Sequence, residues 1–172
     1  MHKVLNVVTS GSPGDLGKIA QALADQGINI NAIGGGEGQL TGTPVGMIAM
    51  LVSSDEVDGE ASGIIARLDL GNGHTLVSAV EYEALDLELD DVPGSLASAT
   101  SLLGNNEVNI MGIMTVDVHV GWAIVSLGFE DTSTRNAARE LLTNNGFKVL
   151  LPHGGEGRRR EVDDLIKDAQ DT

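Results

Sequence analysis

Apolar and polar residues alternate in several stretches of the chain, and stretches with helical spacing lie between them. In the second half, Leu85, Leu87 and Leu89 alternate with acidic residues, which is typical of a strand with one buried face. The patterns after it predict a helix, two strands, a helix and a strand, at 96–103, 107–116, 121–129, 137–142 and 146–152. The second half therefore has the predicted order βαββαβ.

The first half repeats this order. Its patterns predict strands at 4–9, 28–34, 46–53 and 74–82, and helices at 16–23 and 57–68. The order is that of the ferredoxin-like split βαβ unit, in which two helices cover one face of a four-stranded antiparallel sheet. We therefore predict an α+β fold with two such units, at residues 1–82 and 83–152, and a polar tail or helix at 153–172.

Two segments that lie 80 residues apart carry the same motif. The matching pairs are Pro13 and Pro93, Gly14 and Gly94, Leu16 and Leu96, Leu23 and Leu103, Asn29 and Asn109, Ile30 and Ile110, and Ile33 and Ile113. The offset then falls to 75, because "GMIAMLV" at 46–52 corresponds to "GWAIVSL" at 121–127. The first half has about five additional residues within 34–42, and such an insertion is typical of a loop.

Each motif contains Pro-Gly followed directly by a helical pattern. An isolated Pro-Gly is usually a plain turn. Proline in a first helical turn and a glycine without a side chain, however, also leave backbone N–H groups accessible at the helix start. In the second copy these donors belong to Gly94, Ser95 and Leu96. Together with the positive end of the helix dipole, they form a site suited to a carboxylate.

Each motif ends in Asn-Ile at the start of a predicted strand, at Asn29 and Ile30 and at Asn109 and Ile110. A β-branched residue would be the plain structural choice at the asparagine position. The asparagine either satisfies a turn or uses its amide, which has donor and acceptor groups, to bind the ammonium and carboxylate of a zwitterion. A helix start beside such an asparagine suits a free amino acid.

The charge of the chain disfavours two classes of partner. Twenty-five acidic and ten basic residues give a net charge of −15, which opposes direct binding to nucleic acids and to anionic membranes. This composition resembles that of proteins from salt-adapted archaea. The sequence has no signal-peptide pattern and no apolar run near the ~20 residues that span a bilayer, so we expect a cytoplasmic protein.

The sequence offers little for catalysis or metal binding. Cysteine is absent, which excludes disulfides, thiolate nucleophiles and cysteine-ligated metals. The glycines of 34–42 lack dinucleotide-binding spacing, and Asp117 with His119 is the best local pair for a metal. The arginines at 158–160 precede acidic residues at helical spacing, as on a solvated helix. We therefore predict no catalysis, no cofactor and no metal.

The two Pro-Gly-x-Leu…Asn-Ile segments resemble the signature of the ACT domain, a small amino-acid-sensing module of allosteric metabolic enzymes. That signature runs from a strand through Asp/Asn-x-Pro-Gly-x-Leu and a helix to Gly-hydrophobic-Asn-Ile. "LDDVPGSL" with "NNEVNI" matches it closely and "TSGSPGDL" with "DQGINI" less fully, and the two copies span about 150 residues. The resemblance implies that an amino acid binds between two modules, at the Pro-Gly loop of one and the Asn-Ile strand of its neighbour.

The resemblance also implies roles for individual residues. Asp91 would bind the ligand ammonium, the backbone N–H groups after Pro93 would bind its carboxylate, and Asn29 or Asn109 would lie across the interface. The predicted ligand-binding set is completed by Gly94, Ser95, Leu96 and Ile110 in the second copy and Gly11, Pro13, Gly14, Asp15, Leu16 and Ile30 in the first.

The first copy departs from the ACT pattern because Gly11 replaces the acidic residue that the second copy has at Asp91. Three arrangements are compatible with this difference: two equivalent sites, a hybrid site of the second loop with Asn29, and a first copy that no longer binds. Met111, Ile113 and Met114 are interpreted as core or interface residues, with a lining of the ligand pocket as the alternative.

We therefore expect a non-catalytic protein that senses a free amino acid between ACT modules and regulates a separate enzyme of amino-acid biosynthesis, for example homoserine dehydrogenase or aspartokinase. Its partners would be that enzyme subunit and a second copy of the chain in a homodimer. The alternatives are the regulatory small subunit of acetolactate synthase, a structural assembly module without a ligand, and a transcriptional co-regulator with a separate DNA-binding partner.

Overall fold

The computed structural model describes residues 2–53 and 61–150. In chain order these residues form β1 (His2–Thr9), α1 (Asp15–Ala24), β2 (Asn29–Leu40), β3 (Thr43–Ser53), α2 (Ala61–Ala66), β4 (Leu76–Asp90), α3 (Ser95–Asn105), β5 (Gly112–His119), β6 (Trp122–Phe129), α4 (Thr132–Asn144) and β7 (Lys148–Val149). The predicted tail at 153–172 and the predicted start of the second helix at Val57 lie outside the described residues.

The strands form one seven-stranded sheet, and all of its pairs are antiparallel. Six strands follow the order β2-β3-β1-β4-β6-β5, and β7 pairs with β4 beside this path. The predicted α+β class, with an antiparallel sheet and few helices, is therefore confirmed. β7 is shorter than the predicted closing strand, and the backbone N–H of Leu150 donates to the carbonyl of Asp86 directly after it.

Strand β4 runs through the predicted boundary at residue 82. Its first half pairs with β1 and its second half with β6, and Glu83 pairs with both Lys3 and Phe129. Neither glycine nor proline interrupts residues 75–90, so the segment contains no residue that would end the strand at the boundary. The strands of both halves therefore belong to one continuous sheet, whereas the sequence pattern predicts a separate four-stranded sheet for each half.

The insertion in the first half is a strand extension, so the prediction of a loop at 34–42 is wrong. β2 continues to Leu40 and pairs with β3 along its length, from Asn29 with Ser53 to Leu40 with Thr43. Thr41 and Gly42 close the hairpin with φ angles of 49° and 84°. Two left-handed residues form the two-residue turn whose twist suits a β-hairpin, which explains why the glycine-rich segment stays paired.

Buried side chains form three clusters. One packs α1 and α2 against the sheet, with Leu5, Val7, Ile19, Leu23, Ile28, Met50, Val52, Ala61, Ile65 and Leu70. A second packs α3 and α4 in the same way, with Leu85, Leu87, Leu89, Ala99, Leu103, Val125, Leu127, Phe129, Ala138 and Leu142. The third, which we call the central cluster, consists of Val4, Leu51, Ala84 and Met114. Because these residues come from both halves of the chain, the central cluster joins the halves.

Polar contacts join the same two halves. The Asn6 side chain donates to the backbone carbonyl of Met111 over 3.3 Å. Glu83 bonds to Lys3 on β1 and to Arg135 on α4, whose guanidinium lies 2.9 Å from its carboxylate. One carboxylate therefore links an element of the first half to an element of the second.

Substitution Glu83→Gln is expected to lower the free energy of unfolding by about 1 kcal/mol, because two partly buried cations lose their partner while solvent still screens them. The matched control is Glu88→Gln, since Glu88 bonds to the more exposed Lys148; a loss of less than about 0.5 kcal/mol is expected there. Urea denaturation at low and high salt measures both. Equal losses in the two variants would contradict a bridging role for Glu83.

Candidate functional site

The two Pro-Gly turns have nearly the same backbone geometry. Gly14 precedes α1 with φ 93° and Gly94 precedes α3 with φ 99°, both left-handed. Glycine adopts this conformation without the steric cost that other residues have. The first helical hydrogen bonds also correspond, from Lys18 N–H to Gly14 and from Ser98 N–H to Gly94. The repeated motif therefore forms a repeated helix start.

The two starts differ in their first helical residue, which is Asp15 in α1 and Ser95 in α3. Asp15 is only 3% exposed. Its carboxylate accepts a hydrogen bond from the backbone N–H of Ser12 at 3.1 Å, and its other oxygen lies 2.8 Å from Nδ1 of His74. Burial would raise the pKa of Asp15, but the hydrogen bonds from Ser12, Thr9 and His74 and the charge of His74 together hold it below its ordinary value.

The direction of this shift predicts a loss of stability in acid. A carboxyl whose pKa is lower in the folded chain stabilises it fully above its unfolded-state pKa of about 3.9, and this stabilisation is lost as the pH falls through the folded-state pKa. Asp15→Asn should therefore lower the free energy of unfolding at neutral pH, and the difference from the parent should shrink below about pH 4. Urea denaturation across this range measures it; a difference that stays constant would contradict the ionised state of Asp15.

The start of α3 has free donors but fewer than predicted. The backbone N–H of Ser95 donates to the carbonyl of Val92 at 3.3 Å, so it is engaged in the turn. Among the described residues, none of the backbone hydrogen bonds at this turn uses the N–H of Gly94 or Leu96. Asp91 is exposed, and its own N–H donates to the carbonyl of Gly121 at 2.9 Å. The exposed turn therefore combines one carboxylate with two available donors.

Gly11, the counterpart of Asp91, has a structural reason to be glycine. Its φ is +69°, and a Cβ atom there would lie 2.9 Å from the backbone nitrogen of Gly46 on β3. Its N–H donates to the hydroxyl of Thr9 at 3.1 Å. An acidic residue at position 11 would therefore need a shift of the backbone.

The two asparagines occupy different structural positions. Asn29 begins β2, is exposed and donates to the side chain of Asn31 at 2.8 Å. Asn109 precedes β5 by three residues, so the prediction that it begins a strand is wrong; its amide lies 3.1 Å from the sulfur of Met111. Ile30 and Ile110 each pack against the core of their own half. Among the described residues, neither amide bonds to a Pro-Gly turn.

An apolar groove of about 360 Å³ lies beside the start of α1. It is lined by Leu16, Ile33, Gly34, Gly35, Gly36, Gly46, Met47 and Ile48. Leu16, Ile33 and Met47 are 45%, 51% and 47% exposed, so the groove presents large apolar side chains to solvent. Of the predicted ligand-binding residues, only Leu16 lines it. The glycines at 34–36 were predicted as part of a loop, so the sequence did not indicate that they pair with β3 to form this groove.

The residues considered as a pocket lining or as a metal pair are placed as follows. Met114 is buried in the central cluster, whereas Ile113 is exposed. Nε2 of His119 lies 2.9 Å from the Asp117 carboxylate, and its ring stacks on Trp122 with centroids 3.9 Å apart. Within 2–53 and 61–150, no group of three or more metal-ligating side chains occurs. In the same ranges, no helix has the length and apolar character that crossing a membrane requires.

No protein-family model matches the chain, and a comparison with curated proteins finds no match either. Solved structures do share its fold. Protein BT0572 from Bacteroides thetaiotaomicron has a TM-score of 0.56 at 18% identity, over 86% of this chain and 90% of that one. The regulatory subunit of aspartate kinase from Thermus flavus has 0.53 at 17% identity, over 82% and 92%, and the ligand-free one from Thermus thermophilus has 0.55 at 19%, over 83% and 91%.

The two Thermus proteins are regulatory rather than catalytic subunits of their enzyme. At these identities the comparison shows the fold alone. The chain therefore has the fold of these aspartate kinase regulatory subunits, and the predicted α+β fold class agrees with this.

Proposed function

We propose that this chain is a non-catalytic regulatory protein in which two ACT-type βαββαβ units, at residues 1–82 and 83–152, share strand β4 and sense a free amino acid. The observation that carries the proposal is the repeated Pro-Gly helix start, with a left-handed glycine before both α1 and α3. A fold shared with aspartate kinase regulatory subunits supports it.

The start of α3 is the proposed ligand position. The exposed carboxylate of Asp91 would bind the ligand ammonium, and the N–H groups of Gly94 and Leu96 would bind its carboxylate at the positive end of the helix dipole. Asn29 and Asn109 would complete the site from a neighbouring module. Asn29 supports this role because it is exposed at the start of an edge strand.

The neighbouring module would come from a second copy of the chain. The groove with Leu16, Ile33 and Met47 supports this arrangement, because large apolar side chains that remain half exposed in one chain favour contact with another. The regulated partner would be a separate enzyme of amino-acid metabolism, with aspartokinase or homoserine dehydrogenase as the first to test. For such regulation, the affinity of the ligand must differ between two states of that assembly.

A thermal-shift screen of the twenty protein amino acids in molar potassium chloride, followed by calorimetry, tests the proposal. A ligand at 100 times its dissociation constant should add about 2.7 kcal/mol to the free energy of unfolding. Asp91→Asn should remove this effect, whereas Asp90→Asn, next to it and at the end of β4, is the matched control that should retain it. If no amino acid raises the melting temperature, the sensing proposal fails and the alternative of a structural assembly module is favoured.

A further inference from the structure

The groove beside α1 is an apolar concavity with an open floor. None of the residues that line it carries a charged side chain, and Leu16, Ile33 and Met47 are each about half exposed. At Gly34 and Gly36, a Cβ atom would meet nothing within 4 Å. The groove therefore has apolar walls and room for side chains from another element, and an exposed apolar surface of this kind marks a contact site.

A segment that follows the described residues has the complementary pattern. Its apolar residues are Val162, Leu165, Ile166 and Ala169, at positions i, i+3, i+4 and i+7, which predicts a helix with one apolar face. We call these four residues the apolar stripe. Their spacing is the one with which an amphipathic helix contacts a hydrophobic groove. A helix this short is marginal in water on its own, so its apolar face needs a surface to pack on.

The chain can reach the groove from its last described residue. Leu150 lies near His2 at the start of β1, because both line the same small cavity. The groove lies beyond the other end of β1, where Thr9 pairs with Gly46. The length of β1 and the two strand spacings from β1 to β2 give a diagonal of roughly 26 Å. Residues 151–160 span up to about 33 Å when extended, so the segment after them is within reach.

The charges around the apolar stripe also suit the surface of the same chain. The described ranges 2–53 and 61–150 contain fifteen acidic and six basic residues, an excess of nine negative charges. The arginines at 158–160 lie just before the stripe, and the exposed Glu37 follows the glycines of the groove on β2. A cationic stretch is attracted to an acidic surface, whereas two acidic chains repel each other. The charges therefore favour the chain's own segment over a second copy as the occupant of the groove.

We infer that residues 161–169 form a helix whose apolar stripe packs into the groove of the same chain. This inference rests on the groove and on the sequence of the segment. Its consequence for regulation rests on the proposed function. The segment competes with a second copy for the same surface, so two copies pair there only after the segment leaves the groove.

Disulfide trapping in the full chain tests the inference, because the parent sequence contains no cysteine. Met47→Cys combined with Leu165→Cys should form a disulfide within one chain, at least about tenfold faster than Val118→Cys combined with Leu165→Cys. Val118 is the matched control because it is also exposed, at 65%, but lies on β5. Met47→Cys combined with Asp164→Cys, on the polar side of the predicted helix, should be similarly slow. Mass spectrometry of unreduced digests identifies the disulfides and measures their rates.

Two outcomes of the trapping overturn the inference. One is that Met47→Cys and Val118→Cys react with Leu165→Cys at the same rate. The other is that the disulfide joins two chains instead of closing within one, which would make a second copy the occupant of the groove.

A measurement without added cysteines guards against variants that fail to fold. Combining Leu165→Asp with Ile166→Asp in the full chain should shift the amide resonances of residues 33–36 and 46–48 and leave those of 121–123, the second-half counterpart of 46–48, unchanged. Unchanged resonances at the groove would contradict the inference. Neither experiment uses an amino acid, so the sensing proposal and this inference can fail separately.

Discussion

Gly11→Ala is expected to lower the free energy of unfolding by roughly 2–5 kcal/mol. A left-handed conformation costs a residue with a Cβ atom about 1–2 kcal/mol, and overpacking against a fixed neighbour costs about 1–3 kcal/mol more. The neighbour here is the backbone of Gly46, 2.9 Å from the position of the new Cβ, and it cannot rotate away as a side chain can. Denaturant titration measures the loss, and Gly11→Asp should lower the free energy of unfolding by at least as much.

Gly27→Ala is the matched control for this substitution. Gly27 has φ +70°, against +69° for Gly11, but nothing lies within 4 Å of the position of its Cβ. It should therefore show the conformational cost of about 1–2 kcal/mol without the packing cost. Equal losses in the two variants would mean that β3 moves to accommodate a side chain at position 11, and an aspartate there could then be tested as a second ammonium partner.

Leu51→Ala is expected to lower the free energy of unfolding by about 2–5 kcal/mol, the usual cost of removing a buried leucine side chain, and to uncouple the two halves. Leu51 is fully buried in the central cluster with Ala84 and Met114 of the second half. Trp122 is the only tryptophan, so its fluorescence reports on the second half. In the parent chain its unfolding should coincide with that of the backbone measured by circular dichroism, and in Leu51→Ala the two transitions should separate.

Leu5→Ala provides the comparison, because Leu5 is equally buried but belongs to the cluster under α1 and α2. It should lower stability by a similar amount while acting within the first half. If Leu51→Ala gives transitions as coincident as those of the parent chain, then β4 and the polar contacts join the halves without help from the central cluster.

Local periodicity was sufficient to predict most elements of this fold. The helical spacing of Ala99 and Leu103 corresponds to the buried side of α3, although Leu96 of the same pattern is 41% exposed. The alternation of leucine with acidic residues corresponds to the second half of β4. Both patterns reflect which side of an element is buried, and this information is contained in neighbouring residues. The repeated Pro-Gly motif likewise predicted a helix start in each half, and α1 and α3 begin there.

The errors arose where distant residues decide the outcome. The glycine-rich segment becomes a strand because β3 pairs with it, and the requirement for glycine at Gly11 comes from Gly46, 35 positions later. Asp15 looked like one more residue of the motif, since its partner His74 lies 59 positions away. No local pattern reports such contacts, so the sequence left open whether the first turn is equivalent to the second.

The shared strand β4 also determines on which side of the sheet each helical layer packs, because its side chains alternate between the two faces. After the register shift between Leu76 and Ser78, Ala79 faces the first core and Leu85, Leu87 and Leu89 face the second, all at odd-numbered positions. Tyr82 and Ala84 face the central cluster. Because side chains alternate with a period of two, inserting one residue between 80 and 84 would exchange the faces of one half relative to the other. Insertion of two residues would restore them. The parity of a single strand therefore determines whether both helical layers lie on the same side of the sheet.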